Sequence, residues 1–200
     1  MPEPRRQHAM KNIACLFFLV PLAGSCLCAA PENDRPMMKA VIAHEYGKPD
    51  VLRYEDVPRP EPKENEALVR VIASGVNPAD PLIVSGKYAK EFGTHLPLIP
   101  GYDIAGVVEK TGAKVTRLKG GDAVYGYPLF GGGWAEFVNV TEGEVAAKPA
   151  SLSFAEAAAV PMGALTAWQA LVDVAQVKEG QTVLIHGGSG GVGSFAVQIA

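Results

Sequence analysis

Short apolar runs separated by turn-forming residues occupy the chain from residue 39 to about residue 150. The run over 66–73 alternates apolar and polar residues with a period of two, which is typical of a strand with one buried face. Glycine clusters separate the later runs. Many short strands at this spacing predict a small barrel-like β domain. The predicted strands are 39–44, 51–54, 66–73, 104–109, 123–127, 134–140 and 144–147.

Helical patterns occur at two places in the chain. Residues 78–85 predict a short helix, with Asn77 as a candidate N-cap and Pro78 at the first helical position. Near residue 150 the pattern changes from strands to helices. Ser153 and Glu156 have the spacing of a capping box. Residues 162–172 then place apolar side chains at helical spacing, which predicts a second helical stretch.

A continuous apolar run over 182–186 leads into a glycine-rich loop over 187–193, and a helix is predicted over 194–200. A strand, a glycine loop and the start of a helix form the first third of a βαβ unit. Parallel sheets need several such units to bury both faces. We therefore expect the sequence to be a fragment of a longer protein, or of a gene truncated within its second domain.

The glycine loop is the segment that carries candidate chemistry. Glycines at this spacing after a strand let the chain turn tightly and let a diphosphate approach the backbone at a helix N-terminus. The amides of 189–192 and the Ser189 hydroxyl are candidate phosphate donors. The segment lacks the Gly-Lys-Ser/Thr sequence of an ATP-binding P-loop. The alternative to a phosphate-binding loop is an ordinary flexible connection between a strand and a helix. The candidate cofactor-binding residues are Gly187, Ser189, Gly190, Gly191, Val192 and Gly193.

Composition narrows the class of protein. With 48% hydrophobic and 20% charged residues the chain is typical of a globular protein, which excludes disorder. A formal charge of −3 without a basic stripe argues against a nucleic-acid partner. The three cysteines all lie within the first 28 residues. The remaining chain therefore has no thiolate for zinc binding or nucleophilic catalysis.

The N-terminal 30 residues predict a targeting segment. Arg5, Arg6 and Lys11 precede a short apolar run over 13–23, as in a secretory signal peptide. Ala23-Gly-Ser-Cys26 resembles a bacterial lipoprotein box, which makes Cys26 a candidate lipid anchor. We expect an exported protein, periplasmic or lipid-anchored. A cytoplasmic protein with a non-functional leader is the alternative. Residues 31–38 are predicted to be a linker.

Several ordered segments carry a resemblance to a known family. Residues 186–194 look like the nucleotide loop of the zeta-crystallin-like quinone oxidoreductases, in the medium-chain dehydrogenase/reductase superfamily. The resemblance covers 38–200. It implies an α/β chain, with a chaperonin-10-like (GroES-like) β-barrel catalytic domain over 39–150 and the start of a Rossmann dinucleotide-binding domain over 151–200. The other matching segments are 74–80, 100–108, 120–124, 133–137 and 165–168.

The resemblance also implies roles for individual residues. Asn77 should line the cleft between the domains, where its amide would bond the substrate oxygen or the nicotinamide carboxamide. Its alternative role is the helix cap. Thr166 matches a family threonine beside the nicotinamide, with an ordinary helix position as the alternative. Leu82 stands where family members often have tyrosine. Tyr127 and Trp134 are candidates for the cleft wall or for the core.

The zinc-free branch is indicated by the residues at the family's metal positions, because neither Asn77 nor Tyr102 is a zinc ligand. We therefore expect hydride transfer from NADPH to a quinone or a related electrophilic carbonyl or alkene. NADH stays open, since the deciding residues are expected beyond Ala200. No residue is assigned as certainly catalytic. The alternatives are an enoyl or alkenal double-bond reductase and a non-catalytic truncated binding module. A homodimer is expected at full length.

Overall fold

Two antiparallel sheets dominate the computed structural model, which describes residues 35–200. The predicted leader over 1–30, the candidate lipid anchor Cys26 and the start of the predicted linker lie outside the described residues. The strands are β1 (Met37–Ala43), β2 (Leu52–Pro58), β3 (Glu66–Ser74), β4 (Ile104–Thr111), β5 (Ala123–Gly126), β6 (Phe137–Thr141) and β7 (Val145–Ala147).

The first sheet is a hairpin of β1 and β2. β1 begins at Met37, two residues before the predicted start, so the end of the predicted linker is part of a strand. The physical reason is burial: Met38 is 4% exposed and packs with Ala40, Ile42 and Val57. The predicted hairpin partner is confirmed, and it continues beyond residue 54 to the end of β2.

The second sheet has five strands in the order β6–β3–β4–β5–β7, and every neighbouring pair is antiparallel. Alternate residues of its strands, among them Val69, Val108 and Val140, form the main hydrophobic core. A bridge between Ala40 and Ala135 joins the hairpin to the region before β6. The result is the curled antiparallel sheet expected of the barrel-like domain, although β6 begins at residue 137 rather than at Trp134.

The helices are α1 (Ala79–Val84), α2 (Phe154–Ala158), α3 (Pro161–Trp168) and α4 (Gly191–Ile199). The predicted capping box is confirmed: the Ser153 hydroxyl accepts from the Glu156 amide and the Glu156 carboxylate from the Ser153 amide. α3 continues as a π-helical turn over Gln169–Val174. Within residues 35–200, no helix combines the length and apolar character needed to cross a bilayer.

The predicted strand over 182–186 is not formed. A β-strand requires a hydrogen-bonded neighbour, and no described segment pairs with these residues. Val183 and Ile185 pack against the cluster that α3 and α4 build, whereas Leu184 is 81% exposed. The side chains of residues 183–185 thus alternate between packed and exposed positions, as they do in a strand. The predicted final helix forms, but it begins three residues earlier, at Gly191.

Candidate active site and nucleotide loop

Asn77 lies in the loop between β3 and α1. Its side-chain Nδ2 donates to Asp103 Oδ2 at 2.8 Å, and its backbone amide donates to Asp80 Oδ2 at 2.6 Å. Pro78 occupies the cap position of α1, and no side chain caps that helix end. The helix-cap interpretation of Asn77 is therefore wrong. The Nδ2 bond to Asp103 fixes the orientation of the side chain, and Oδ1 accepts from no amide at the start of α1.

Asp103 organises the surrounding chain, and sequence reasoning did not single it out. Its side chain is the acceptor for Asn77 and, through Oδ1, for the Met162 amide at the start of α3, at 2.8 Å. Its backbone carbonyl accepts from the Ser74 hydroxyl at 2.7 Å. The residue is 2% exposed. The carboxyl group of Asp103 therefore ties the Asn77 loop to α3, and its backbone carbonyl holds the end of β3.

Two buried carboxyl groups, those of Asp103 and Asp80, flank Asn77, and no lysine or arginine of residues 35–200 forms an ion pair with either. Burial raises the pKa of Asp103, although the hydrogen bonds from Asn77 and from the Met162 amide oppose that rise. Burial likewise raises the pKa of Asp80, against the bond from the Asn77 amide. The Asp80 side chain is fully buried. The region around Asn77 is thus a desolvated site in which the electrostatic environment disfavours further negative charge.

A cleft of about 400 Å³ opens beside α1 and α3. Thr166 lines it and is exposed, so the structure places this predicted residue at an open surface. Its hydroxyl donates to the Met162 carbonyl at 2.7 Å, which leaves the oxygen free to accept a hydrogen bond. Ala79, two residues after Asn77, lines the same cleft. The wall is otherwise mostly apolar, formed by Phe92, Leu129, Met162 and Leu165 together with Tyr127 and Gln169.

The glycine loop closes tightly on itself before α4. Gly187 has a φ of +70°, in the region that favours glycine. A Cβ atom on Gly193 would overlap the Gly187 carbonyl oxygen. The Gly190 amide donates to that same oxygen at 2.9 Å and is therefore not free for a phosphate, contrary to its predicted use. The amides of Gly191 and Val192, at the first turn of α4, have no acceptor among residues 35–200.

α3 connects the Asn77 region to the glycine loop. Its N-terminus is bonded to Asp103, as described above. Further along, Gly163 packs so closely on α4 that a Cβ atom there would lie 2.9 Å from the Gly191 carbonyl oxygen. Ala167 and Ala196 bury the contact between the two helices. The structure therefore brings Asn77, Thr166 and the loop together along one helix.

The remaining candidates have separate positions. Tyr127 lines the cleft, whereas Trp134 lines a different groove and donates its indole N–H to the Gly75 carbonyl at 3.1 Å. Trp134 thus holds the loop that carries Asn77. In the described part of the chain, no group of three or more His, Cys, Asp or Glu side chains is arranged to hold a metal ion. The residues at the expected metal positions are Asn77, whose side chain is an amide, and Tyr102, whose side chain is a buried phenol.

Comparison with known proteins agrees with this arrangement. Residues 63–150 match the alcohol dehydrogenase GroES-like domain. The chain is 42% identical over 169 residues to the quinone oxidoreductase of Pongo abelii, covering 84% of this chain and 51% of that protein. It is 40% identical over 172 residues to the chloroplastic NADPH-dependent alkenal/one oxidoreductase of Arabidopsis thaliana, covering 82% and 44%.

The solved quinone oxidoreductase of Coxiella burnetii superposes with a TM-score of 0.72 at 37% identity, covering 82% of this chain and 53% of that one. The chain therefore belongs to the medium-chain dehydrogenase/reductase superfamily, with a GroES-like domain followed by the beginning of a Rossmann domain. Within that superfamily its relatives include quinone oxidoreductases and an alkenal/one oxidoreductase. The chain spans about half the length of the curated relatives it matches.

Proposed function

We propose that the protein is an NADPH-dependent oxidoreductase that reduces a quinone or a related electrophilic enone. The observation that carries the proposal is the continuity along α3, which links the glycine loop, Thr166 and the Asp103–Asn77 pair. A dinucleotide needs a diphosphate site at one end and a nicotinamide site at the other. The helix connects candidates for both.

The glycine loop has the features that a bound dinucleotide requires. The absence of side-chain atoms on Gly187 and Gly193 keeps the turn tight. The free amides of Gly191 and Val192 lie at the positive end of the α4 dipole, where a diphosphate is stabilised. These amides, with the exposed Ser189, would hold the cofactor's phosphates.

The cleft supplies orientation and an apolar environment. When bound, the dihydronicotinamide supplies the hydride. The Thr166 hydroxyl donates its proton to the Met162 carbonyl, so its oxygen is left to accept a hydrogen bond from a ligand in the cleft. Asn77 is held by Asp103 so that its carbonyl oxygen points away from the carboxylate. The apolar wall excludes water and holds the acceptor near the cofactor, which lowers the entropic part of the barrier.

Metal-independent chemistry is part of the proposal. Zinc in the related metal-dependent sites needs thiolate, imidazole or carboxylate ligands. Here the amide of Asn77 is already bonded to Asp103, and Tyr102 is a fully buried phenol. We propose NADPH rather than NADH as the cofactor because the related alkenal/one oxidoreductase carries NADPH in its name. That name also supports reduction of an enone double bond as the second candidate activity.

The proposal is tested with the full chain. Reduced pyridine nucleotide is titrated into the protein while nucleotide fluorescence is followed, and NADPH and NADH are compared. We expect a saturable change with tighter binding of NADPH. Steady-state oxidation of NADPH is then measured with a quinone and with an enone. Absence of saturable binding by both nucleotides would contradict the proposal.

From the sequence of residues 1–30 we also propose export, with Cys26 as a lipid anchor. Separately, we propose that the protein forms a homodimer. Mass spectrometry of the mature N-terminus tests the first part. Cleavage before Cys26 with an added lipid mass is the expected result, whereas an intact leader on a cytoplasmic protein would contradict it. Sedimentation of the full chain tests the dimer, and a monomer mass would contradict it.

A further inference from the structure

Tyr127 lines the cleft and carries a hydroxyl group to which the proposed mechanism assigns no role. Tyr127 follows β5 and lines the cleft together with Leu165 and Thr166 of α3. Its hydroxyl makes no hydrogen bond within residues 35–200, and it is not among the side-chain oxygen atoms that are sealed from solvent. The Tyr102 hydroxyl, in contrast, is buried without a partner.

The surrounding structure holds the Tyr127 ring in place. Its backbone amide donates to the Glu144 carbonyl at 2.9 Å. Its ring packs on Tyr102 with centroids 5.8 Å apart, and Tyr102 packs on Phe92 at 5.5 Å. Aromatic contacts of this kind favour a defined arrangement of the rings. The ring that carries the hydroxyl is therefore held at the wall of the cleft at low entropic cost.

The charge around Tyr127 keeps its hydroxyl in the donor form. Burial and the nearby carboxyl groups of Asp103 and Asp80 raise the pKa of Tyr127. A neutral phenol can donate one hydrogen bond, and a phenolate cannot. Thr166 already donates its own hydroxyl proton to the Met162 carbonyl. Of the two hydroxyl groups in the cleft, one is left as an acceptor and the other as a donor.

We propose that Tyr127 is a substrate-orienting residue whose hydroxyl donates a hydrogen bond to the carbonyl oxygen of a flat, apolar quinone or enone bound in the cleft. The inference rests on the proposed function and names the group that recognises its substrate. An acceptor of this class is flat and mostly apolar, which suits the walls of Phe92, Leu129 and Met162. Its carbonyl oxygen needs a donor that the apolar walls do not provide.

The reaction balances without proton loss from Tyr127. A quinone takes the hydride with its electron pair and becomes the hydroquinone monoanion, while NADPH becomes NADP⁺. The developing negative charge lies on the carbonyl oxygen, where a fixed donor stabilises it. Solvent then supplies the proton that completes the hydroquinone. Tyr127 therefore acts by hydrogen bonding and does not need to be regenerated.

The test compares Tyr127→Phe with wild-type full chain. This substitution removes the hydroxyl and keeps the ring stack. We expect kcat/KM for a quinone to fall about ten-fold, which corresponds to about 1.4 kcal/mol. The Kd of NADPH, from nucleotide fluorescence, should stay unchanged. The Kd of the quinone, from quenching of tryptophan fluorescence, should rise.

Tyr102→Phe is the matched control, because it removes a hydroxyl from the same aromatic stack outside the cleft. It should leave all three constants unchanged. Gln169, which also lines the cleft, is the competing donor. A loss on Gln169→Leu without a loss on Tyr127→Phe would overturn the inference. Wild-type kinetics in Tyr127→Phe would overturn it and leave the proposed function standing. A wild-type chain that reduces neither quinone nor enone would overturn both.

Discussion

The side chain of Asn77 is bonded to the carboxylate of Asp103 through Nδ2 and Oδ2, which are 2.8 Å apart. Since the two polar atoms of an amide diverge from one carbon, this bond turns Oδ1 away from the carboxylate. Asn77 therefore presents an acceptor, and one of its amide protons is already used. This arrangement favours recognition of a carboxamide NH₂ over recognition of a carbonyl oxygen.

We therefore expect Asn77→Ala to weaken binding of the NADPH cofactor more than binding of the quinone acceptor. Loss of one neutral hydrogen bond predicts that the Kd of NADPH rises about five-fold, while KM for the quinone stays within experimental error. Fluorescence titration and steady-state kinetics measure the two constants. Val76→Ala, an exposed neighbour in the same loop, serves as control. A raised KM for quinone at an unchanged NADPH Kd would show that Asn77 contacts the substrate instead.

Asp103→Asn should destabilise the fold. The substitution replaces an acceptor of two hydrogen bonds with a group that carries its own donor, so one buried amide loses its partner. We expect the free energy of unfolding to fall by about 1–3 kcal/mol, measured by urea denaturation. Asp56→Asn is the matched control, because its ion pair with Lys39 is exposed and screened by solvent, so it should contribute little to stability. Equal losses in both variants would contradict the structural role of Asp103.

The buried Asp80 predicts a specific pH dependence. Its pKa is raised in the folded state, so the folded protein binds more protons than the unfolded chain above the ordinary carboxyl pKa of about 3.9. The contribution of Asp80 to stability is therefore greatest at acid pH and falls as pH rises through the raised pKa. The asparagine in Asp80→Asn has no group that titrates in this range. The free energy of unfolding of this variant, compared with that of wild type, should therefore rise between about pH 4 and pH 7.

Urea denaturation of both proteins at several pH values measures this difference. The comparison with wild type cancels the contributions of Glu61, Glu142 and Glu156, whose pKa values are lowered by their hydrogen bonds. A difference that stays constant over the range, or that moves in the opposite direction, would show that the folded-state pKa of Asp80 is not raised.

Gly193→Ala should prevent tight closure of the nucleotide loop. The added methyl group overlaps the Gly187 carbonyl oxygen, so the loop must open or α4 must move. We expect NADPH affinity to fall more than about ten-fold, or by at least 1.4 kcal/mol. Gly120→Ala is the control, since the nearest atom to its Cβ is 3.4 Å away and its φ is ordinary for any residue. Unchanged affinity in Gly193→Ala would contradict the placement of the cofactor.

The parts of the fold that sequence patterns predict well are those set by local interactions. β3 follows from the period-two pattern over 66–73, and the capping box follows from the spacing of Ser153 and Glu156. Both depend on residues close together in the chain. Residues 182–186 have the composition of a buried strand but no described partner, and pairing is a property that composition does not contain.

The site is harder to predict from sequence, because its contacts join residues that are far apart in the chain. The loop glycines follow from a local motif, and Thr166 follows from the family resemblance. Asp103 did not, because its bonds reach Asn77 and Met162, which are 26 and 59 positions away. A short polar residue after Pro100-Gly-Tyr in an apolar stretch was the available signal. The same distance explains why the sequence leaves a helix cap as an alternative role for Asn77: its partner Asp103 is remote in sequence.

The most direct test of the central claim is a stoichiometric conversion with the full chain, a quinone and NADPH carrying deuterium at the transferred position. Near-ultraviolet absorbance follows loss of the reduced nucleotide, and chromatography quantifies the hydroquinone. The account predicts one hydroquinone formed for each NADPH consumed, with a slower rate for the deuterated cofactor. NADPH loss no faster than in the absence of protein, or loss without hydroquinone, would contradict it.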